Sequence, residues 1–136
     1  MAGYSQTPLV KKLGLRSGMR LRVIDAPLDY AAMVEDLPPG LQWAAEDETG
    51  LDFIHLFTNS QAGLAEAFPR LAAYLVKSGV LWISWPKRSS GRQADLDENS
   101  IRETGLNNGM VDVKVCAINE QWSGLKFVFR LKDRHP

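Results

Sequence analysis

In Leu71-Ala72-Ala73-Tyr74-Leu75-Val76-Lys77-Ser78-Gly79-Val80-Leu81-Trp82-Ile83-Ser84-Trp85-Pro86 the hydrophobic period changes halfway. The first half continues a stripe formed by Leu64, Phe68, Leu71, Ala72, Leu75 and Val76, the spacing of one buried helix face. It predicts a helix from an N-cap at Ser60 to Lys77, where a cation suits the carboxyl terminus and Gly79 supplies the stop. Pro69 removes one hydrogen bond inside that helix, so a kink or break is expected there. From Val80 to Trp85 the chain is apolar almost without interruption. That is the pattern of a strand covered on both faces, as in a parallel sheet.

Working outward, Phe53-Ile54-His55-Leu56-Phe57 repeats the continuous apolar pattern, and Leu21-Arg22-Val23-Ile24 is a third short run. Leu41-Gln42-Trp43-Ala44, entered through Pro38-Pro39-Gly40, reads as a weaker strand. Two segments near the carboxyl terminus alternate with period two. One places Val111, Val113, Val115 and Ala117 on one face, the other Leu125, Phe127, Phe129 and Leu131. They read as an antiparallel hairpin joined by residues 119–124. Further helices are expected over residues 7–13 with Pro8 at the first position, over 30–36, and from a cap at Asp97 to Asn108, stopped by Gly109. Strands alternating with helices imply a right-handed parallel arrangement. The expected architecture is one α/β domain over residues 1–136: a single three-layer, mostly parallel sheet with a C-terminal antiparallel hairpin.

The 136 residues suit one domain. Hydrophobic residues at 45% and charged residues at 24% exclude a disordered chain or a disulfide scaffold. One cysteine, Cys116, allows no internal disulfide and fits a reducing cytoplasm. No signal-peptide pattern opens the sequence, and no apolar run is long enough to span a membrane, so a cytoplasmic location and no membrane partner are expected. Sixteen cations balance sixteen acids, which argues against a general nucleic-acid binder. The charges are segregated, however. Lys11, Lys12, Arg16, Arg20 and Arg22 precede any acid. Nine acids follow between Asp25 and Glu66 without a cation, and then Arg70, Lys77, Lys87, Arg88 and Arg92 without an acid. Pairing between the blocks is the simpler expectation, a dipolar surface the other.

The order of elements resembles the Rossmann-like fold of class I S-adenosylmethionine methyltransferases in a shortened form. Residues 71–84 look like those enzymes' helix, glycine turn and fifth strand, and the closing hairpin resembles their sixth and seventh strands. The whole chain also resembles a bacterial family known only as a domain of unknown function. That resemblance rests on Gly3-Tyr4-Ser5 with Thr7-Pro8-Leu9, Lys12-Leu13-Gly14, Gly18-Met19-Arg20, Ala26-Pro27, His55-Leu56-Phe57, Trp82-Ile83-Ser84-Trp85-Pro86-Lys87, residues 111–117 and Trp122-Ser123-Gly124-Leu125-Lys126. It implies a fold and a bacterial setting, and no activity.

In such a sheet, ligands bind beyond the carboxyl ends of the strands. A methyltransferase needs a glycine-rich turn after its first strand. Here Ile24-Asp25-Ala26-Pro27-Leu28-Asp29-Tyr30 stands in that place, with no glycine between Gly18 and Gly40 and no backbone donor at Pro27. No cofactor is therefore expected. Glu46 or Asp47 could accept from ribose hydroxyls, although a solvated acidic loop is the better reading. The candidate ligand-binding residues are Asp25, Asn59, Trp85, Lys87, Arg88 and Trp122, all expected at or near that rim. Trp85 offers either a flat apolar surface beside two cations or simple packing. Trp122 is read as a lid or a partner contact in a polar turn.

His55, inside an apolar strand, is read as a buried histidine with a satisfied hydrogen bond rather than a base or ligand. Ser84 and Ser123 lack an identifiable base, Cys116 lacks a second reactive group, and two histidines with one cysteine make no convincing zinc site. No catalytic or metal-binding residue is assigned. The favoured function is a noncatalytic module that binds a protein or a small anionic ligand on a degenerate methyltransferase-like fold. The alternative is an unconventional S-adenosylmethionine-dependent methyltransferase, so enzymatic activity stays open.

Overall fold

The computed structural model describes residues 7–134. Gly3-Tyr4-Ser5, the rest of the first six residues, and His135 lie outside them. The elements run α1 (Leu9–Leu13), β1 (Arg20–Ile24), α2 (Tyr30–Met33), β2 (Gln42–Trp43), β3 (Leu51–Phe57), α3 (Gln61–Tyr74), β4 (Leu75–Pro86), α4 (Glu98–Asn107), β5 (Met110–Ala117) and β6 (Trp122–Phe129). One sheet has the order β2-β1-β3-β4-β6-β5. The pairs β1–β2, β1–β3 and β3–β4 are parallel, whereas β4–β6 and β5–β6 are antiparallel. The expected mostly parallel sheet with an antiparallel closing hairpin is what the chain forms.

Helices cover both faces, as the continuous apolar runs of β3 and β4 require. On one face α3 and α4 bury Leu64, Phe68, Leu71 and Ile101 against Ile54, Leu81, Ile83 and Phe127. On the other, α1 and α2 deliver Leu13 and Tyr30 to Phe53, Phe57, Trp82 and Trp122. Trp82 is fully buried, and its indole N–H donates to the Leu13 carbonyl at 3.0 Å, which ties α1 to the sheet. Among the described residues no helix is long and apolar enough to cross a membrane.

Several boundaries differ from expectation. The helix capped by Ser60, whose hydroxyl accepts from the Gly63 amide, ends at Tyr74 rather than Lys77. Leu75 continues the helical stripe, but it pairs with Leu51 as the first residue of β4, so sheet pairing outweighs the helical periodicity. Gly79 is then no helix stop. It lies inside β4, where a Cβ would come within 3.0 Å of the Val76 carbonyl and 3.1 Å of the Leu51 carbonyl. Pro69 does not break α3. The helix expected over 30–36 is a single turn, and Pro8 precedes α1 as its cap rather than starting it.

The largest difference is in β5. The register shifts between Asp112 and Lys114, so Val111 stands opposite Val128 and Val115 opposite Leu125. This irregularity inverts the alternation, and the expected single valine face does not exist. Val113 and Val115 are about half exposed, while Asp112 points to α4 and pairs with Arg102 at 2.9 Å. Leu131 also leaves the expected face, because β6 ends at Phe129.

Candidate functional site

The connection from β1 leads to one side of the sheet and that from β3 to the other, so the order reverses between β1 and β3. Their carboxyl ends form the crevice where ligands of open α/β sheets bind. β1 ends at Ile24, and Asp25 follows with φ 56°, the left-handed conformation that glycine adopts most easily. The turn keeps the backbone shape but carries a Cβ and a carboxylate. Ala26 and Pro27 follow, and the Pro27 carbonyl accepts from the Tyr30 amide at 3.1 Å.

Aromatic rings pack close to this turn, and Pro27 and Asp29 border a cavity of about 250 Å³ with Trp122. Tyr30 stands edge-on to Phe57 at 5.8 Å, and Phe57 edge-on to Trp122 at 5.0 Å. The Tyr30 hydroxyl is 3.0 Å from His55 Nδ1, and His55 Nε2 is 2.8 Å from the Ser84 hydroxyl. Ser84, for which the sequence offered no base, therefore has a histidine at hydrogen-bonding distance. The spacing is that of a nucleophile, a base and an orienting group. Its environment is not. His55 and Ser84 are completely buried, and burial pushes the imidazole down to about 3 and the tyrosine hydroxyl above its usual range. A neutral, water-excluded imidazole satisfied on both nitrogens is an internal strut of the core, as the reading of His55 anticipated.

The other candidate residues divide into two groups. Lys87 and Arg88 line a cavity of about 230 Å³ with Arg92, Asp95 and Asp97. Asn59 borders an adjoining cavity of about 540 Å³ with Arg92 and Asp95. The acids there already have partners. Asp95 accepts from the Gln61 amide at 2.7 Å, and Asp97 caps α4. The Asp97 carboxyl is held below its usual range, first by the Ser100 amide and to a lesser extent by the charge of Arg88. Asp25 is exposed at the end of β1 and borders neither cavity.

The two tryptophans are not the exposed surfaces that the sequence suggested. Trp85 is 8% exposed and packs into the core under α3 and α4, so the simple-packing alternative describes it. Trp122 belongs to β6 rather than to a polar turn and is equally buried. Its ring carries Arg92, whose guanidinium lies 5.5 Å from the ring centre and donates to Gln121 Oε1 at 3.0 Å. The Trp122 indole N–H is buried without an acceptor. The sequence grouped Arg92 with Lys87 and Arg88 only for a nucleic-acid contact, the least favoured reading; its place over Trp122 comes from the fold. Cys116 is half-buried, and burial raises its thiol.

No family model matches the chain, and no curated protein does either. Solved structures do. A methyltransferase from Aquifex aeolicus described as SAM-dependent superposes with a TM-score of 0.65 at 13% identity, covering 90% of this chain and 88% of that one. A TehB-like SAM-dependent methyltransferase from Corynebacterium glutamicum gives 0.56 at 14% identity over 95% and 91%. Magnesium protoporphyrin IX methyltransferase from Synechocystis, solved with bound SAM, gives 0.58 at 11% identity over 90% and 74%. At these identities the likeness concerns the fold alone: the chain has the Rossmann-like fold of the class I methyltransferases.

Proposed function

We propose that this chain is a noncatalytic binding module on a methyltransferase-like fold, of cytoplasmic location. The observation that carries the reading is the switch-point turn. Asp25-Ala26-Pro27 replaces bare glycine backbone there, and Tyr30, Phe57 and Trp122 pack ring to ring in the core close by. Binding an adenosyl cofactor would need close backbone approach and free amide donors, and Pro27 offers no donor. The rim contacts of this module are the half-buried Lys87 and the exposed Arg88, which line one cavity with the already engaged Asp95 and Asp97. They suit the anionic group of a small ligand or a partner protein.

The second reading, an unconventional methyltransferase, is favoured by the likeness to a structure solved with bound SAM. Melting curves with S-adenosylhomocysteine, the demethylated product, separate the two. The expected result is an unchanged melting temperature at millimolar concentration. A concentration-dependent rise of several degrees would support the methyltransferase, because a ligand that binds only the folded state stabilises it by mass action. Lys87→Ala with Arg88→Ala is expected to leave thermal stability within about 0.5 kcal/mol of the parent, since Arg88 is exposed and neither residue is in an ion pair among the described residues. A larger loss would mean that the pair braces the loop instead of facing a ligand.

A further inference from the structure

At the opposite end of the sheet, the amino ends of β1, β3 and β4 and the segment after α1 surround a cavity of about 550 Å³. That volume lies within the range of small-molecule sites. Lys11, Arg16 and Lys126 line it, with apolar walls from Leu13, Leu15 and Val80. Lys114 stands directly opposite Lys126 in the β5–β6 ladder, and its ammonium donates to the Lys12 backbone carbonyl at 3.2 Å, so Lys12 and Lys114 flank the lining residues Lys11 and Lys126. Like charges directly opposed across strands destabilise a sheet. Among the described residues none of these five cations is in an ion pair. Asp52 is the one acid among the described lining residues, and its carboxylate accepts from the Arg20 amide at 2.9 Å. Of the first basic block, Arg20 pairs with Glu48 and Arg22 donates to the Ala45 and Glu48 carbonyls, whereas Lys11 and Arg16 line this cavity. Burial first, and then the charges of Lys114 and Arg16, lower the proton affinity of Lys126.

We propose that this cavity binds an organic diphosphate: the phosphoryl oxygens on Arg16, Lys126 and the flanking lysines, the organic body against Met19 and Val80, with Leu15 behind them. Arginine offers phosphate a fork of donors, and lysine a movable point charge. The concave shape and the neutral total charge favour a small ligand over a nucleic-acid strand, which would call for a long basic stripe. The site does not depend on what the carboxyl rim binds.

Calorimetry with inorganic pyrophosphate and with ADP tests it. Wild-type protein is expected to bind both, ADP more tightly because of the apolar wall. Arg16→Gln with Lys126→Met should weaken pyrophosphate binding by tenfold or more, and Lys132→Ala, at an exposed lysine that lines neither this cavity nor the carboxyl rim, should leave it unchanged. Arg16 is exposed, so Arg16→Gln alone folds normally and should still weaken binding several-fold. Lys126→Met keeps the aliphatic stem and removes the opposed charge, so the ligand-free melting temperature should rise at low salt. The proposal is overturned by any of four results: no pyrophosphate binding at millimolar concentration; binding lost with Lys87 and Arg88 instead; an Arg16→Gln, Lys126→Met protein that binds within twofold of wild type; or displacement of pyrophosphate by a short DNA duplex at lower concentration than by ADP.

Discussion

Acidification from pH 7 towards pH 3 should unfold this protein, with His55 responsible for a large part of the loss. In the folded state the imidazole stays neutral down to about 3, whereas in the unfolded chain it takes up a proton near 6.5. Between those values the unfolded state binds one more proton, so stability falls with falling pH by about 1.4 kcal/mol per unit. The accumulated loss is several kcal/mol, a large share of the roughly 5–15 kcal/mol that holds a domain folded. The opposite limb belongs to Tyr30. Its folded pKa lies above the unfolded value of 10, so its contribution is present below pH 10 and is lost as pH rises beyond that. Replacing His55 alone would strand the Tyr30 and Ser84 hydroxyls, at about 1–3 kcal/mol each. The informative variant is Tyr30→Phe, His55→Leu, Ser84→Ala, which removes the network as a unit. Urea midpoints measured against pH should show a steep fall below pH 6.5 in the parent and a clearly shallower one in the variant. Parallel profiles would mean that the folded protein protonates His55 readily.

The second large effect is expected at Gly105. Alanine in mid-helix ordinarily gains about 1 kcal/mol over glycine. At this position a Cβ would lie 2.1 Å from Phe127 Cε1 and 2.6 Å from Cδ1. The ring cannot retreat, because Phe127 is fully buried and stands edge-on to Phe68 at 5.2 Å. Gly105→Ala should therefore destabilise by about 3 kcal/mol, the scale of an overpacked core, and lower the melting temperature by about 10 °C. Gly63→Ala is the internal control. A Cβ there meets only Ser60 at 3.5 Å, so the same exchange should be neutral or stabilising. Similar thermal shifts for the two variants would show that α4 moves away from β6 at little cost.

These two sites also mark the limit of what the sequence conveys. The parallel sheet was legible because β3 and β4 are apolar on both faces, a pattern that only two covering layers explain. The α4 cap was legible because Asp97 and Ser100 form a local motif that needs no tertiary information. The α3–β4 boundary was not, since Leu75 fits both a helical stripe and a strand and only its pairing with Leu51 decides. The β5 irregularity was hidden for the same reason: Val111, Val113 and Val115 alternate perfectly until a partner strand shifts the register. Gly105 gave no signal at all, because its role is defined by Phe127, twenty-two positions away.

The rim was legible as a location and less so as a set of residues. Lys87, Arg88 and Asn59 border adjoining cavities at the carboxyl ends of the strands. Trp85 and Trp122 were drawn to the rim by their places in the sequence, but residues at either end of a strand can still point into a core, and both do. The Tyr30–His55–Ser84 network joins three elements, and no spacing along one of them foretells it. The basic cavity at the amino ends had a partial signal in the acid-free block through Arg22. Lys114 and Lys126 join that block only once β5 and β6 are paired.

Calorimetric titration of the full chain with S-adenosylmethionine is the most direct test of whether the methyltransferase-like fold still serves its cofactor here. With Asp25-Ala26-Pro27 at the turn in place of a glycine-rich backbone and no amide donor at Pro27, the account predicts no saturable heat at concentrations up to the millimolar range. A one-to-one isotherm with micromolar affinity would contradict it and make the chain a methyltransferase candidate.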